Sequence, residues 1–133
     1  MTETLYSSAR NLLVNSSEVT NLVPAKNITV GFTQEPISYP CISITKVAGS
    51  DLGYLGYSTS AAGSKMRKSS NSVQIDIYNR DSLLSSQIIG KAVTQTLLDG
   101  LSCKKVSEVD IYEENLKAYR KIQTWDVLFI END

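Results

Sequence analysis

Alternating apolar and polar residues form the clearest pattern of the chain, between residues 71 and 101. Val73, Ile75 and Ile77 alternate with polar positions, which is the two-residue period of a strand that buries one face. A polar turn follows, and Asp81 is suited to be the N-cap of a helix. After it, apolar residues recur at helical spacing: Leu84, Ile88, Ala92, Val93 and Leu97. This segment predicts a strand followed by an amphipathic helix.

The same kind of pattern predicts further elements on both sides of that unit. Helical spacing predicts a first helix over residues 3–14, and β-branched residues predict a strand over 41–47. Residues 28–33 are a candidate short strand, and alternation predicts two more strands over 104–112 and 119–130. The order helix, strand, strand, helix, strand, strand predicts an α+β fold. We expect a mainly antiparallel four-stranded sheet with helices packed on one face.

The last strand is apolar on both of its faces. Trp125, Val127 and Phe129 alternate with a second apolar set, which consists of Ile122, Leu128 and Ile130. A strand of an antiparallel sheet with one solvated face is apolar on one side only. A helix layer or another subunit is therefore expected over the second face. Ile122, Leu128 and Ile130 are the candidates for a subunit interface.

A glycine- and serine-rich segment, 48–70, is predicted to be a long mobile loop within a single domain, 1–133. It combines aromatic and basic residues that are candidates for contact with a partner: Tyr54, Tyr57, Lys65, Arg67 and Lys68. One interpretation is contact with nucleic acid or an acidic partner, through charge and stacking. The other is a solvated loop tip without a ligand.

The composition of the chain mainly excludes classes of function. The chain has no histidine, so Ser-His-Asp and Cys-His catalysis and histidine metal sites are excluded. Its net charge of −1 gives no general attraction to nucleic acid or anionic lipid. The N-terminus lacks the pattern of a signal peptide, and no apolar run reaches the roughly 20 residues of a membrane span. Cys41 and Cys103 are therefore expected to be reduced thiols in a cytoplasmically made protein.

Carboxylates, serine–lysine pairs and glycines occur in the chain, but not in the motifs that catalytic or phosphate-binding sites require. Glu108 and Asp110 lie two apart on a predicted strand, which is compatible with acid–base work or a hard cation. The favoured interpretation is a solvated strand face that runs into an acidic hairpin. Serine–lysine pairs and two glycines near residue 54 lack the partner motifs of acyl-transfer or phosphate-binding sites. No catalytic residue, cofactor or metal site is predicted.

In the order of its elements the chain resembles the tail terminator, or tail-completion, proteins of long-tailed bacteriophages. The likeness rests on the helix around Leu5–Leu13, the proline-flanked strand at 39–44, the strand–helix unit from Val73 to Leu98, and a closing strand from Arg120 to Ile130. It covers nearly the whole chain and includes no invariant motif.

The resemblance implies a structural role without catalytic residues. Such a subunit forms a ring, usually a hexamer, that caps the tail tube and joins it to the head connector. The implied partners are further copies of the chain, the tail tube protein and the connector or stopper protein. DNA passes through the ring without sequence-specific binding, and no membrane is involved. The implied location is the virion tail or neck, assembled in the host cytoplasm. A neighbouring connector or stopper protein, or a nucleic-acid- or ligand-binding α+β domain using the 48–70 loop, remains an alternative.

Overall fold

One mixed sheet organises the structure, a computed structural model that describes residues 5–31, 38–54 and 66–132. Two short helices and a 3-10 turn precede a strand-rich region, and one long helix lies in the middle of the chain. The helices are Leu5–Val14 (α1), Ser17–Thr20 (α2) and Leu83–Gly100 (α3), with the 3-10 turn at Ala25–Asn27. The strands are Ile28–Val30 (β1), Cys41–Tyr54 (β2), Met66–Asn79 (β3), Cys103–Glu113 (β4) and Ala118–Asn132 (β5).

The sheet has five strands in the order β1-β2-β3-β5-β4, so the predicted four-stranded sheet is corrected to five. The added strand, β1, pairs in parallel with β2 and places Ile28 opposite Ile42. The other three pairings are antiparallel, as predicted. This strand lies within the candidate at residues 28–33, but three residues carry too little periodicity to place it in the sheet, because its parallel partner is fixed by tertiary packing.

The predicted loop at 48–70 is also corrected, because both of its ends are paired strand. β2 continues to Tyr54 and β3 begins at Met66. The register places Ser50 opposite Ser70 and Tyr54 opposite Arg67. Glycine and serine have low strand propensity, but pairing of β3 with the apolar end of β5 overrides that local preference. The middle of the predicted loop, 55–65, lies outside the described residues.

The core lies between the helices and one face of the sheet, as predicted. We call this the helix-covered face, and the register assigns to it Ile42, Ile44, Val73, Ile75, Ile77, Lys121, Gln123 and Trp125. The apolar members form one buried cluster with the helix side chains Leu5, Ala9, Leu13, Ile89, Ala92, Val93 and Leu97. The alternation that predicted β3 and the later part of the helical spacing that predicted α3 therefore meet in the same core. The predicted positions Leu84 and Ile88 are instead exposed, and Ile89 packs against the sheet in the first turns of α3.

A buried asparagine joins β3 to α3. The Asn79 side-chain oxygen accepts hydrogen bonds from the backbone N–H groups of Asp81 (2.9 Å) and Ser82 (3.0 Å). Ser82 is the N-cap, and its hydroxyl accepts from the Ser85 N–H at 3.0 Å. The predicted cap at Asp81 is therefore wrong by one residue. The Asp81 carboxylate instead accepts the hydroxyl hydrogen bond of Ser85 at 2.5 Å.

Candidate functional site

A buried lysine lies beside the paired carboxylates Glu108 and Asp110, which the sequence offered as candidates for acid–base chemistry. Lys121 is only 1% exposed, and its Nζ lies 3.0 Å from an Asp110 oxygen and 3.6 Å from a Glu108 oxygen. The register places all three residues on the helix-covered face. Glu108 and Asp110 are exposed, as the expected solvated strand face requires, but they lie on the side of the sheet that carries α3 and are paired with a buried lysine, which the sequence did not indicate.

The amide of Gln123 completes this cluster beneath α3. Its Nε2 donates to Glu108 at 2.8 Å and to the carbonyl of Gly90 at 3.2 Å, while its oxygen accepts from the Trp125 indole at 3.1 Å. Burial alone raises the pKa of Glu108, but the hydrogen bond from Gln123 and the charges of Lys121 and Lys105 outweigh burial and lower it. Glu108 is thus held as an anion that joins β4 to β5, which does not suit it to act as a general acid.

The opposite face of the sheet, which we call the outer face, carries a second ionic cluster. Arg120 donates to Asp76 at 2.9 Å and to Glu113 at 3.1 Å, and so connects three neighbouring strands. Its guanidinium carbon lies 5.6 Å from the centre of the Tyr78 ring. Burial lowers the pKa of Arg120, but the hydrogen bonds to the two carboxylates outweigh it and raise that pKa. Every carboxylate in this cluster has a cationic partner, so the arrangement is a brace.

Neither cysteine is arranged for chemistry. Cys41 and Cys103 are free and half-buried. Burial raises the pKa of the Cys41 thiol to about 11, and burial also raises the pKa of Cys103. A thiol with a raised pKa is a poor nucleophile at neutral pH. Within 5–31, 38–54 and 66–132, no group of His, Cys, Asp or Glu side chains is arranged to hold a metal ion.

A groove of about 340 Å³ lies where α2, the segment before β2 and the start of α3 meet. Its lining is mainly apolar and includes Leu22, Pro40 and Ile88. The Arg80 guanidinium at its rim lies 4.1 Å above the Tyr39 ring, and its Nε and an Nη both donate to the Leu116 carbonyl. The cation is already committed to those contacts, and the other charged group of the lining, Asp81, accepts the Ser85 hydroxyl hydrogen bond, so the charged groups of the groove are engaged within the chain.

The feature that stands out is an apolar outer face next to an open strand. β4 is an edge strand, and Val109 and Ile111 on it are 49% and 40% exposed. Val109 lies directly opposite Ile122 of β5, which is half-buried on the same face. The sequence proposed Ile122 but missed Val109 and Ile111. The signal was present, because the apolar residues of β4 alternate with Glu108 and Asp110, but the sequence does not say which set faces the helices.

The remaining predicted site residues that the structure describes lie at one end of the sheet, beyond the start of β4. β4 begins opposite Val127, and beyond that point the described sheet consists of β2, β3 and β5. The register places Leu128 opposite Ser70, and Ile130 opposite Lys68. It also places Arg67 of β3 opposite Tyr54 of β2 on one side and opposite Glu131 of β5 on the other. The structure thus brings Tyr54 and Arg67 together on adjacent strands, whereas Tyr57 and Lys65 lie outside the described residues.

Comparison with known proteins shows the fold. No protein-family model matches the chain, and no curated protein sequence matches it. Among solved structures, the chain is similar to one from the structure described as "Virion of native gene transfer agent (GTA) particle". The TM-score is 0.68 at 10% sequence identity, over 96% of this chain and 95% of that chain. In the described part of the chain, no helix combines the length and the apolar character needed to span a membrane.

Proposed function

We propose that the chain is a structural virion protein of a phage-like particle, and that its role is that of a tail terminator. The observation that carries the proposal is the match in fold to a chain of a gene transfer agent virion, along nearly the full length of both chains. The order of elements that suggested the tail terminator family points to the same kind of particle. In this proposal the subunit acts by assembly, and it is not an enzyme.

The side-chain clusters support an assembly role because the carboxylates within them are paired with cations and are not poised for catalysis. Glu108 and Asp110 are paired with Lys121, and Asp76 is paired with Arg120. What the described surface offers instead is apolar. Ile122, Val109 and Ile111 lie together on the outer face. Exposed apolar groups that cluster beside an open strand are typical of interaction sites.

The proposed assembly is a ring, most simply a hexamer, between the tail tube and the head connector. A ring is built from head-to-tail contacts, so each subunit needs two different complementary surfaces. Ile122 belongs to one of them, and Leu128 and Ile130 continue the same strand beyond it. Tyr54, Arg67 and Lys68 are proposed to contact a partner or the lumen through which DNA passes, together with Tyr57 and Lys65.

The test is assembly on tail tubes. Purified chain is mixed with tubes of the matching tail tube protein and imaged by negative stain, and its mass is measured by native mass spectrometry. We expect a ring with a central hole at one end of each tube, and tubes that stop elongating when the ring is present. Particles made without the chain are expected to carry overlong tails that are not joined to heads.

A pair of variants makes the assembly test specific. Ile122→Asp places a charge on the outer face and is expected to prevent capping, because an unpaired charge in an interface is costly. Lys91→Asp changes the charge of an exposed position on α3 and serves as the control. A chain that ignores tube ends but binds purified connector identifies the neighbouring stopper role. A chain that binds neither tube ends nor connector contradicts the proposal.

A further inference from the structure

The two edges of the sheet are protected unequally. At one edge, β1 is three residues long, and the Arg10 side chain donates to the Ile28 carbonyl at 2.8 Å. At the other edge, β4 runs for eleven residues from Cys103 to Glu113, with a bulge between Lys105 and Ser107 and a regular register from Ser107 onward. A long exposed edge strand is a template for pairing with another strand. Edge β4 is therefore where this sheet can be extended.

An apolar row reaches that edge on the outer face. Ile122 on β5 lies directly opposite Val109 on β4, and Val109 is 49% exposed. Residues directly opposite each other on paired strands are in side-chain contact, so the next strand placed beside β4 would continue this row. Ile111, two residues along on the same face, widens the apolar surface. An apolar partner strand thus fits here better than a polar one.

The charges along β4 are arranged with opposite signs at its two ends. Lys104 lies at the start of the strand and Glu114 just beyond its end, and both are exposed. Neither forms an ion pair with another described residue, whereas Glu108, Asp110 and Glu113 each have a partner in their own chain. A strand that runs antiparallel to β4 and carries the same sequence brings unlike charges together at both ends.

We propose that β4 pairs with β4 of a second copy of the chain, antiparallel, about a two-fold axis at Val109. The pairing places Val109 of one copy against Val109 of the partner subunit, and joins two five-stranded sheets into one of ten strands. Lys104 of each copy lies near Glu113 and Glu114 of the partner subunit. Such a contact is isologous, so it is distinct from the head-to-tail contacts of a ring. It concerns the free chain and does not rest on the proposed function.

The position of the axis is tested by cross-linking. In a Cys41→Ser, Cys103→Ser background, Val109→Cys is expected to form a disulfide dimer on mild oxidation, because directly opposed Cβ atoms lie about 4.5–5.5 Å apart. Ile111→Cys is the matched control, since its two copies are displaced along the strands in opposite directions from the axis. Val30→Cys tests the β1 edge and is expected to remain monomeric. Faster cross-linking of Ile111→Cys than of Val109→Cys contradicts this axis.

The charge arrangement is tested by reversal and rescue, with the dimer dissociation constant measured by light scattering and native mass spectrometry. Lys104→Glu is expected to weaken the dimer roughly tenfold, because two ion pairs become repulsive. Glu114→Lys is expected to weaken it similarly, and the double variant Lys104→Glu, Glu114→Lys is expected to recover dimerisation. Glu18→Lys with Lys26→Glu, on the β1 side, is the control.

The results of these experiments distinguish the two-fold β4 dimer from the proposed ring. A dimer of the free chain that is lost in each single reversal and recovered in the double variant supports the two-fold contact, whether or not rings form on tubes. A chain that remains monomeric at the highest soluble concentration and low salt overturns it. A dimer indifferent to both charge changes, at Lys104 and at Glu114, overturns it as well.

Discussion

Gly90 of α3 lies directly over the side chain of Lys121 on β5. A Cβ atom placed on Gly90 would lie 2.6 Å from Cδ and 2.8 Å from Cε of the lysine. Both distances are well inside van der Waals contact, and Lys121 is fully packed. The absence of a side chain at Gly90 is therefore what permits α3 to lie close enough for Gln123 to reach the Gly90 carbonyl.

Gly90→Ala is expected to destabilise the protein by about 1–3 kcal/mol, because the added methyl displaces a buried and ion-paired side chain. This result goes against helix propensity, which favours alanine over glycine by about 1 kcal/mol. Urea unfolding followed by far-UV circular dichroism measures the change.

Gly100→Ala is the matched control for that substitution. A Cβ there would meet the end of the Leu12 side chain at 2.6 Å, but Leu12 is only half-buried and its methyl groups can rotate away. We expect Gly100→Ala to change stability by no more than about 0.5 kcal/mol. Equal effects of the two substitutions would contradict the close packing described for Gly90.

The lowered pKa of Glu108 predicts part of the acid sensitivity of the fold. Its ordinary value is 4.5, and in the folded protein the value is lower. A lowered folded pKa stabilises the protein above the ordinary value, and this contribution is lost as the pH falls through the folded pKa. In Glu108→Gln the dependence is expected to be flatter over that interval. The difference in urea midpoint between the two proteins, largest at neutral pH and shrinking below 4.5, is the measurement.

The N-cap assignment predicts unequal effects of two neighbouring polar residues. Ser82→Ala removes the acceptor of the Ser85 N–H and is expected to cost about 1 kcal/mol. Asp81→Ala removes an exposed carboxylate that accepts only the Ser85 hydroxyl, and is expected to cost less than half as much. Chemical denaturation of both variants distinguishes them. A larger loss of stability in Asp81→Ala than in Ser82→Ala would support Asp81 as the N-cap and contradict Ser82.

The raised thiol pKa values predict slow modification of the native protein. At neutral pH, Cys41 with a pKa of about 11 is almost entirely protonated, and the raised pKa of Cys103 acts in the same direction. Labelling with a disulfide-exchange reagent is expected to be at least tenfold slower in the folded chain than in urea. Labelling should accelerate as the pH rises toward the Cys41 pKa. Rapid labelling of the native protein at neutral pH would contradict the burial of these thiols.

Local pattern was sufficient where the chain buries apolar residues on one side of a regular element. The alternation of Val73, Ile75 and Ile77 corresponds to buried positions, and so do Ala92, Val93 and Leu97 of the predicted helical face. The first two members of that face, Leu84 and Ile88, are exposed, so the prediction was wrong for the start of α3. The short strand Ile28–Val30 was only a candidate, because three residues carry little periodicity and their partner is chosen by the fold. The ends of β2 and β3 were mistaken for loop because pairing across the sheet outweighs the low strand propensity of glycine and serine.

The candidate site could be predicted only in part, because sequence alternation does not say which face is covered. For β4 the polar set faces the helices and the apolar set faces outward, contrary to the usual preference. The cause lies on another strand, in the buried amine of Lys121. A buried cation requires carboxylates within reach, so Glu108 and Asp110 take the covered positions and Val109 is left exposed.

The hydrogen bond from Arg10 to the Ile28 carbonyl has a consequence for how far any strand-by-strand association can grow. If two chains join through β4, both outer margins of the combined sheet are β1, and each margin is obstructed by an arginine. Each margin then offers only a three-residue strand with one carbonyl already engaged, which is a poor template for a further strand. We therefore expect association to end at two chains, so that β4 can stay open in a concentrated solution of unassembled subunits without seeding fibres.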